Sequence, residues 1–214
     1  MSSDSDWAPD AEQRVLDEAL RLAPETGWNG RLVARAAAAA GLSKGDAELL
    51  LPNGAKDLAA LATARHLDRA FSRLEGVDPV SLKVRERIRV AVQAKIEGTV
   101  DDGPALRNLA GFLCLPQNLP LALALLWKSA DAIWRWAGDT AVDENHYSKR
   151  AILSAILATT LAVRMTSGKT AADAHLDARI DNVMAFERWK AGRTRWHLGP
   201  EIAVALARVR YGRG

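Results

Sequence analysis

The chain has 214 residues, of which 49% are hydrophobic and 26% are charged, and its formal net charge is +3. This length and composition suit one ordinary domain with a full core, or two small ones, and argue against a disordered chain. The single cysteine, Cys114, excludes an intrachain disulfide and a cysteine-based metal cluster, and its apolar surroundings predict a small buried hydrophobe. The N-terminus lacks the basic and apolar regions of a secretory signal, so we expect a cytoplasmic protein.

Hydrophobic periodicity and Gly and Pro punctuation predict helices throughout, without strands. Gly41 is the expected C-cap of the second helix, and Ser43 with Asp46 forms an expected capping box for the third. The predicted helices span about residues 9–27, 29–40, 43–51, 53–74, 78–100, 104–115, 118–137, 143–166 and 170–191, with a short last helix from about 200. The sequence therefore predicts an all-α fold.

Residues 108–127 carry no charge over a length that could span a bilayer. Pro116 and Pro120, with two amide side chains between them, interrupt this stretch and would leave polar groups without partners in hydrocarbon. We expect two helices joined by a turn in a soluble protein.

The seventh and eighth helices are unusually apolar. Rotating each residue by 100° gives the seventh helix two apolar faces. One face has Leu119, Leu123, Leu126, Trp127, Ala130, Ile133, Trp134 and Ala137, and the other has Leu121, Leu125, Ala132 and Trp136. Either both are ordinary core, or the second is covered by a partner subunit, another protein or a ligand. The eighth helix is uncharged from Ala151 to Val163, which predicts burial on all sides.

Residues 30–62 resemble the N-terminal helix-turn-helix domain of the TetR repressor family, notably in the turn from Ala39 to Gly45. DNA affinity rests on phosphate neutralisation by Lys and Arg, yet residues 1–51 contain five basic and nine acidic residues, a net charge of −4. The would-be recognition helix carries Asp46 and Glu48. We expect no nucleic-acid binding and a unit retained as scaffold, with a TetR-type ligand-responsive repressor as the alternative.

A second resemblance lies in residues 116–150, where a set of residues recurs in the order of one family: Pro116, Gln117, Asn118, Pro120, Trp127, Asp131, Trp134, Gly138, Asp139, Asp143, Tyr147, Lys149 and Arg150. The segment resembles the Coq-nine family, accessory lipid-binding proteins of ubiquinone biosynthesis. Residues 176–184 match again, although His175 replaces an aromatic residue. The resemblance implies a TetR-like bundle of about ten helices with a vestigial helix-turn-helix.

The resemblance also implies sites. The C-terminal helices would enclose a hydrophobic pocket for an isoprenoid lipid and pair two subunits. The expected lining is Leu123, Trp127, Ile133, Trp134, Leu153, Ile156, Leu157 and Met165. A patch for a quinone hydroxylase partner would contain Asp131, Trp134, Gly138 and Asp139. In the alternative reading, Asp139 and Asp143 cap the next helix and pair with Lys149 or Arg150.

The C-terminal segment, residues 188–214, has a net charge of +6. It combines apolar and basic residues at helical spacing, namely Trp196, Ile202, Leu206, Arg208, Val209 and Arg210. This pattern is typical of an interfacial helix on an anionic membrane, so we expect peripheral attachment to the inner face of the membrane. The alternative is a solvated or disordered basic end.

Motifs for catalysis are missing: there is no GxSxG, phosphate-binding glycine loop or GxGxxG, and the four histidines form no metal-binding pair. We therefore expect neither an enzyme nor a cofactor or metal, but a bound isoprenoid lipid or quinone intermediate. The expected function is a non-catalytic homodimer that takes this lipid from the membrane and presents it to a quinone hydroxylase. A structural interaction protein with a filled core is a third reading, favoured if there is no cavity.

We divide the chain into four parts: a flexible acidic tail (1–9), a helix-turn-helix-like subdomain (10–75), a helical lipid-binding and dimerisation body (76–191) and a basic amphipathic segment (192–214).

Overall fold

The computed structural model describes residues 7–139 and 144–194, with the side chains of 7–139, 147–183 and Ala185. Helices account for most of this chain, and these described residues contain no strand, which confirms the all-α fold. The α-helices are α1 Trp7–Thr26, α2 Gly30–Ala39, α3 Lys44–Leu50, α4 Ala55–Arg73, α5 Val84–Val100, α6 Ala105–Leu113, α7 Leu119–Trp136 and α8 Glu144–Thr194.

Local signals determine most helix ends. Ser43 Oγ accepts the backbone N–H of Asp46 at 3.1 Å, and the Asp46 side chain accepts that of Ser43, which confirms the predicted capping box. The start of the fifth helix differs from the prediction. Pro79 begins only a 3-10 turn, Pro79–Ser81, and Lys83 is extended, so α5 begins at Val84.

The last helix is broken at Gly168, where φ is 85° and ψ is −177°. A positive φ favours glycine, since other residues would strain the backbone there. The two segments of α8 correspond to the predicted eighth and ninth helices. The two segments contact each other across the break, as the distance of 3.1 Å between His175 Nε2 and Thr159 Oγ1 shows. The predicted tenth helix lies outside the described residues.

Two clusters of buried side chains form the core. The first joins α1, α2, α4 and α6 through residues such as Leu16, Leu32, Leu58 and Leu109. The second joins the end of α4 to α5, α7 and α8, and it includes Val92, Ile133, Leu153 and Leu176. The helix-turn-helix-like unit and the C-terminal body therefore have separate centres of packing, and α4 contributes to both.

A ladder of polar side chains connects α5 to α8 along the outside of the second cluster. Its four rungs are Arg85 to Asp181 at 2.7 Å, Arg89 to Asp177 at 2.6 Å, Gln93 to Asp173 at 2.9 Å, and Glu97 to Arg164 at 3.1 Å. The α5 members recur every four residues, so they lie along one face of that helix. This spacing aligns the segment after Gly168 antiparallel to α5.

The break in the uncharged stretch is confirmed. The helices on its two sides, Ala105–Leu113 and Pro116–Trp136, are bent by 85° relative to each other. By length and composition, Tyr147–Val183 is also apolar enough to cross a membrane, a test that core helices of soluble proteins pass as well.

Two burial predictions are wrong. Only 22% of the most apolar window of α8 is buried, and Ala151, Ala155 and Ala162 are exposed, because α5 and α7 pack on only part of the helix surface. Cys114 is also exposed, since it ends α6 at the edge of the bend rather than inside a helix pair.

Candidate functional site

A cavity of about 340 Å³ lies between α4, α5, α6, α7 and α8. Such a volume is at the lower end of the range of small-molecule pockets. Its wall is mainly Leu, Ile, Ala and Met side chains. The lining residues are Thr63, His66, Lys95, Ile96, Thr99, Leu106, Leu109, Ala110, Leu113, Cys114, Leu119, Ala122, Leu123, Leu125, Leu126, Ser129, Leu157, Ala158, Leu161, Ala162 and Met165.

The mouth of the cavity lies at the bend between α6 and α7. Leu119 is 47% exposed and Leu123 is 65% exposed, and Cys114 and Ala162 are exposed beside them. Large apolar side chains at an opening to solvent cost free energy unless something covers them. The cavity thus has an apolar entrance that an apolar ligand can follow inward.

The inner end, which we call the polar floor, consists of His66, Lys95 and Thr99. These side chains line the cavity while the residues are only 2%, 7% and 5% exposed. They come from two helices that approach closely at Gly98. A Cβ there would lie 3.1 Å from the His66 carbonyl oxygen and 3.2 Å from Arg69 Cβ, so glycine permits the approach.

Asp102 connects His66 to Arg69 beneath the polar floor. Its Oδ2 lies 2.5 Å from His66 Nε2, and its Oδ1 accepts Arg69 Nη1 at 2.6 Å. Burial acts to raise the pKa of Asp102, but the bonds from His66 and Arg69 hold it below its usual value. Burial lowers the pKa of His66, against the effect of Asp102. At neutral pH the imidazole of His66 in the floor is therefore neutral, and the carboxylate of Asp102 beneath it is ionised.

Lys95 is the exceptional group in the polar floor. Its Nζ donates to Thr99 Oγ1 at 3.1 Å, and within the described residues it forms no ion pair. Burial lowers the pKa of Lys95 to about 7, although the charge of Asp102 opposes this effect. The ammonium group is therefore partly deprotonated at neutral pH in the empty cavity.

The structure distributes the expected lining residues among three places. Leu123, Leu157 and Met165 line the cavity. Ile133, Leu153 and Ile156 lie in the second core cluster instead. Trp127 packs near Tyr147, with ring centroids 6.1 Å apart, and Trp134 lies at the α7–α8 junction. Sequence reasoning missed the polar floor and the α6 wall.

The α7–α8 junction brings together the residues expected to bind a hydroxylase. Gly138, with φ of +85°, ends α7 and lets the N–H of Asp139 bond to the Trp134 carbonyl at 2.9 Å. Asp139 then accepts Lys149 at 2.6 Å and Arg150 at 3.2 Å. This pairing is what the alternative reading of Asp139 expects; Asp143 lies outside the described residues.

Arg150 is the centre of the junction. It is 2% exposed, and its Nε donates to Asp131 at 2.6 Å. Trp134 donates its indole N–H to the Lys149 carbonyl at 3.1 Å, and Lys149 Nζ lies 5.3 Å from the centre of the indole ring. Bonds from Lys149 and Arg150 hold the pKa of Asp139 below its usual value against the opposing effect of burial. The cluster thus connects the end of α7 to the beginning of α8.

The helix-turn-helix-like unit has a different surface. Its α3 has no buried residue, Leu49 is 73% exposed, and Lys44 pairs with Glu48 at 3.7 Å. A second hollow of about 380 Å³ lies between α2 and α3. The only basic side chain on α3 is thus close to a carboxylate, and DNA binding stays without support here.

The comparisons with known proteins agree on one family. The family profile described as COQ9 matches residues 119–187. The Rattus norvegicus protein named ubiquinone biosynthesis protein COQ9, mitochondrial, is 28% identical over 182 residues, which are 81% of this chain and 58% of that protein. The Homo sapiens protein of the same name is 29% identical over 160 residues, 72% of this chain and 50% of that protein. In residues 119–187 the chain is thus similar to the COQ9 family.

The COQ9 match covers α7 and most of the described α8, and therefore one side of the cavity and the α7–α8 junction. The polar floor comes from α4 and α5, outside the region of the profile. The chain spans about half of the length of the curated relatives it matches.

Two expectations remain, one for the membrane-binding residues and one for metal ions. Trp196, Ile202, Leu206, Arg208, Val209 and Arg210, the expected membrane-binding residues, lie outside the described residues. Among the residues that the structure describes, no group of His, Cys, Asp and Glu side chains is arranged to hold a metal ion.

Proposed function

We propose that this chain is a non-catalytic accessory protein of ubiquinone biosynthesis that binds an isoprenoid quinone intermediate and presents it to a quinone hydroxylase. The observation that carries the proposal is the apolar cavity with its exposed leucine mouth. The relatives' names support the pathway. The cavity also speaks against the third reading, a protein with a filled core.

The cavity is suited to an isoprenoid tail by chemistry and shape. Its walls come from five helices, and polar atoms are confined mostly to one end. Burying a methylene group of a tail contributes about 0.8 kcal/mol, so a few isoprene units suffice for a useful affinity. The remainder of a long tail can extend through the mouth past Leu119 and Leu123.

We extend the proposal to a homodimer at the membrane surface. The exposed face of α8, with Ala151, Ala155 and Ala162, supplies an apolar surface for a second copy. The basic C-terminal segment supplies charge for an anionic leaflet. Sedimentation should give the mass of a dimer, and an Ala155→Glu variant should be monomeric.

The proposed hydroxylase patch is the outer side of the α7–α8 junction. Gly138 is exposed, while Asp131 is bonded to Arg150 and Arg135, and Asp139 to Lys149 and Arg150. The junction would thus present Trp134 in a fixed orientation rather than offer free carboxylates. Trp134→Ala should weaken co-purification with the hydroxylase, and Arg35→Ala, far along the chain in α2, serves as the control.

The cavity can be tested by blocking it. Ala122 lines the cavity, whereas Ala124, on the same helix, is exposed and lies outside the lining. Ala122→Trp should reduce the amount of quinone-like lipid that co-purifies by about tenfold, and Ala124→Trp should retain it. Native mass spectrometry of both variants gives the answer, and equal lipid content in both would count against this cavity.

Two further measurements bear on the whole proposal. Deleting the gene should lower cellular ubiquinone, and an unchanged content would remove the main hypothesis. A gel-shift assay with genomic fragments addresses the repressor alternative, which predicts DNA binding at physiological salt. DNA affinity in a protein without bound lipid would favour the repressor.

A further inference from the structure

We propose that the polar floor is a head-group site, in which Lys95, held by Thr99, receives an anionic oxygen at the end of an apolar ligand. The oxygen would belong to a carboxylate or a phenolate. This inference rests on the proposed lipid binding and adds the chemical class of the head group. It concerns α4 and α5, outside the region that the family profile matches.

The charges of the polar floor are not balanced without a ligand. The one carboxylate beneath it, Asp102, is already bonded to Arg69 and His66. Lys95 is thus left with a hydroxyl partner, Thr99, although an ammonium group has three donors. A buried cation without a carboxylate is costly, and an anion in the cavity would remove that cost.

The hydrogen bonds of Thr99 leave the ammonium group available to a ligand. Thr99 Oγ1 donates to the Lys95 carbonyl oxygen at 2.8 Å and accepts Lys95 Nζ at 3.1 Å. The hydroxyl therefore holds the lysine side chain in place without neutralising it. An apolar ligand alone would leave two N–H groups of the ammonium without partners, whereas an anionic oxygen would accept at least one of them.

The geometry also gives the ligand a direction. The floor residues are nearly inaccessible, while Leu123 at the mouth is 65% exposed. The head group would thus lie inside and the tail would follow α6 and α7 outward. A ligand bound in this way is carried with its head shielded, so hand-over to a hydroxylase requires the ligand to leave this site.

The test uses two ligands with the same isoprenoid tail, farnesoate with an anionic head and farnesol with a neutral one. At about pH 6.5 we expect farnesoate to bind about tenfold tighter than farnesol, a difference equivalent to about 1.4 kcal/mol. The preference should shrink about tenfold by about pH 9, because the bound anion requires a protonated Lys95. Calorimetric titration of the full chain measures both constants.

Other titratable groups around Lys95 are accounted for. His66 faces it from α4, and Asp102 faces it from the turn after α5; the lining from α6, α7 and α8 adds Cys114 at the mouth. The pKa values of His66 and Asp102 both lie below their ordinary values, so His66 is mainly neutral and Asp102 is ionised from about pH 6.5 upward. A Cys114→Ser background removes the thiol from the titration.

The matched variants are Lys95→Met and Lys128→Met, since Lys128 is exposed on α7 and lies outside the lining. Lys95→Met should lose the preference for farnesoate over farnesol, and Lys128→Met should retain it. Equal binding of both ligands by the unaltered chain overturns the head-group site but leaves lipid binding intact. Binding of neither ligand overturns both proposals. If Lys95→Met fails to fold, the pH profile of the unaltered chain still decides.

Discussion

The α7–α8 junction and the polar floor of the cavity each bury a cation, but they treat it differently. Arg150, at 2% exposure, is bonded to the carboxylates of Asp131 and Asp139. Lys95, at 7% exposure, is bonded to a hydroxyl. The first arrangement fixes two helices to each other. In the second, among the described residues, the positive charge faces the cavity without a carboxylate partner, as expected of a binding site rather than a structural ion cluster.

Replacing Arg150, the buried cation of the α7–α8 junction, should have the largest effect on the free energy of unfolding. Arg150→Met removes the buried guanidinium that joins Asp131 to Asp139 and leaves these carboxylates only Arg135 and Lys149, so we expect a loss of about 3–5 kcal/mol in the free energy of unfolding. The control is Arg135→Met, because Arg135 is 74% exposed and bonds only the outer side of Asp131. Its loss should be below about 1 kcal/mol. If urea unfolding gave similar losses of stability for both variants, the buried ion pairs would be no more stabilising than the exposed one, and the comparison would be wrong.

Replacing Lys95, the buried cation of the polar floor, should instead increase the free energy of unfolding. Lys95→Met eliminates a buried charge without a carboxylate partner, so the empty protein should gain about 1–4 kcal/mol at pH 7. The pKa of Lys95 is about 7 in the folded chain and about 10.4 when unfolded, so the unfolded state binds more protons between these values. Stability of the unaltered chain should therefore rise with pH across this interval.

Lys95→Met should flatten that rise. Thermal unfolding at a series of pH values measures the slope in both proteins. A parallel slope in the variant would mean that another group is responsible, and the description of Lys95 as a buried cation without a carboxylate partner would be wrong.

A change at Gly98, where α4 and α5 approach each other closely, should have a smaller effect on the free energy of unfolding. An added Cβ at Gly98 would press on backbone atoms of α4, which cannot rotate away. Gly98→Ala should therefore destabilise by about 1–3 kcal/mol despite its better helix propensity. Gly111→Ala, where nothing lies within 4 Å, should stabilise by up to about 1 kcal/mol. Chemical denaturation compares the two, and equal signs would contradict the packing argument.

The smallest effect is expected at the outer ladder. Arg85 and Asp181 are 47% and 56% exposed, so Arg85→Ala should cost less than about 1 kcal/mol. High salt should reduce this difference further. A loss as large as that of Arg150→Met, measured in the same urea series, would show that burial does not separate the two kinds of pairing.

Helices and their breaks could largely be predicted from the sequence, because glycine and proline act locally. The prolines at 116 and 120 predicted the bend after α6, and Gly168 predicted the end of the eighth helix. Pro79 misled the prediction, since it began a 3-10 turn before an extended residue, Lys83. The hydrogen bonds of the following residues, rather than proline itself, decided where α5 begins.

The cavity was harder to predict, because wall and core have the same composition. Leu157 lines the cavity and belongs to the core cluster, while Leu153, one turn earlier, belongs to the core cluster alone, and periodicity cannot separate them. The polar floor did leave a signal in α5. Lys95 falls on the stripe of Ile88, Ala91 and Val92 at helical spacing, and a cation on a buried stripe indicates a special environment.

The polar ladder between α5 and α8 has a mechanical consequence. Its rungs from Arg85 to Glu97 resist sliding and separation of these two helices all along their contact. Passage of a bulky ligand that leaves the rungs intact must therefore displace the opposite wall. That wall is α6 and α7, which meet at a bend of 85°. The ladder keeps α5 and α8 together, so the entrance of the cavity widens by movement of α6 and α7 at their bend.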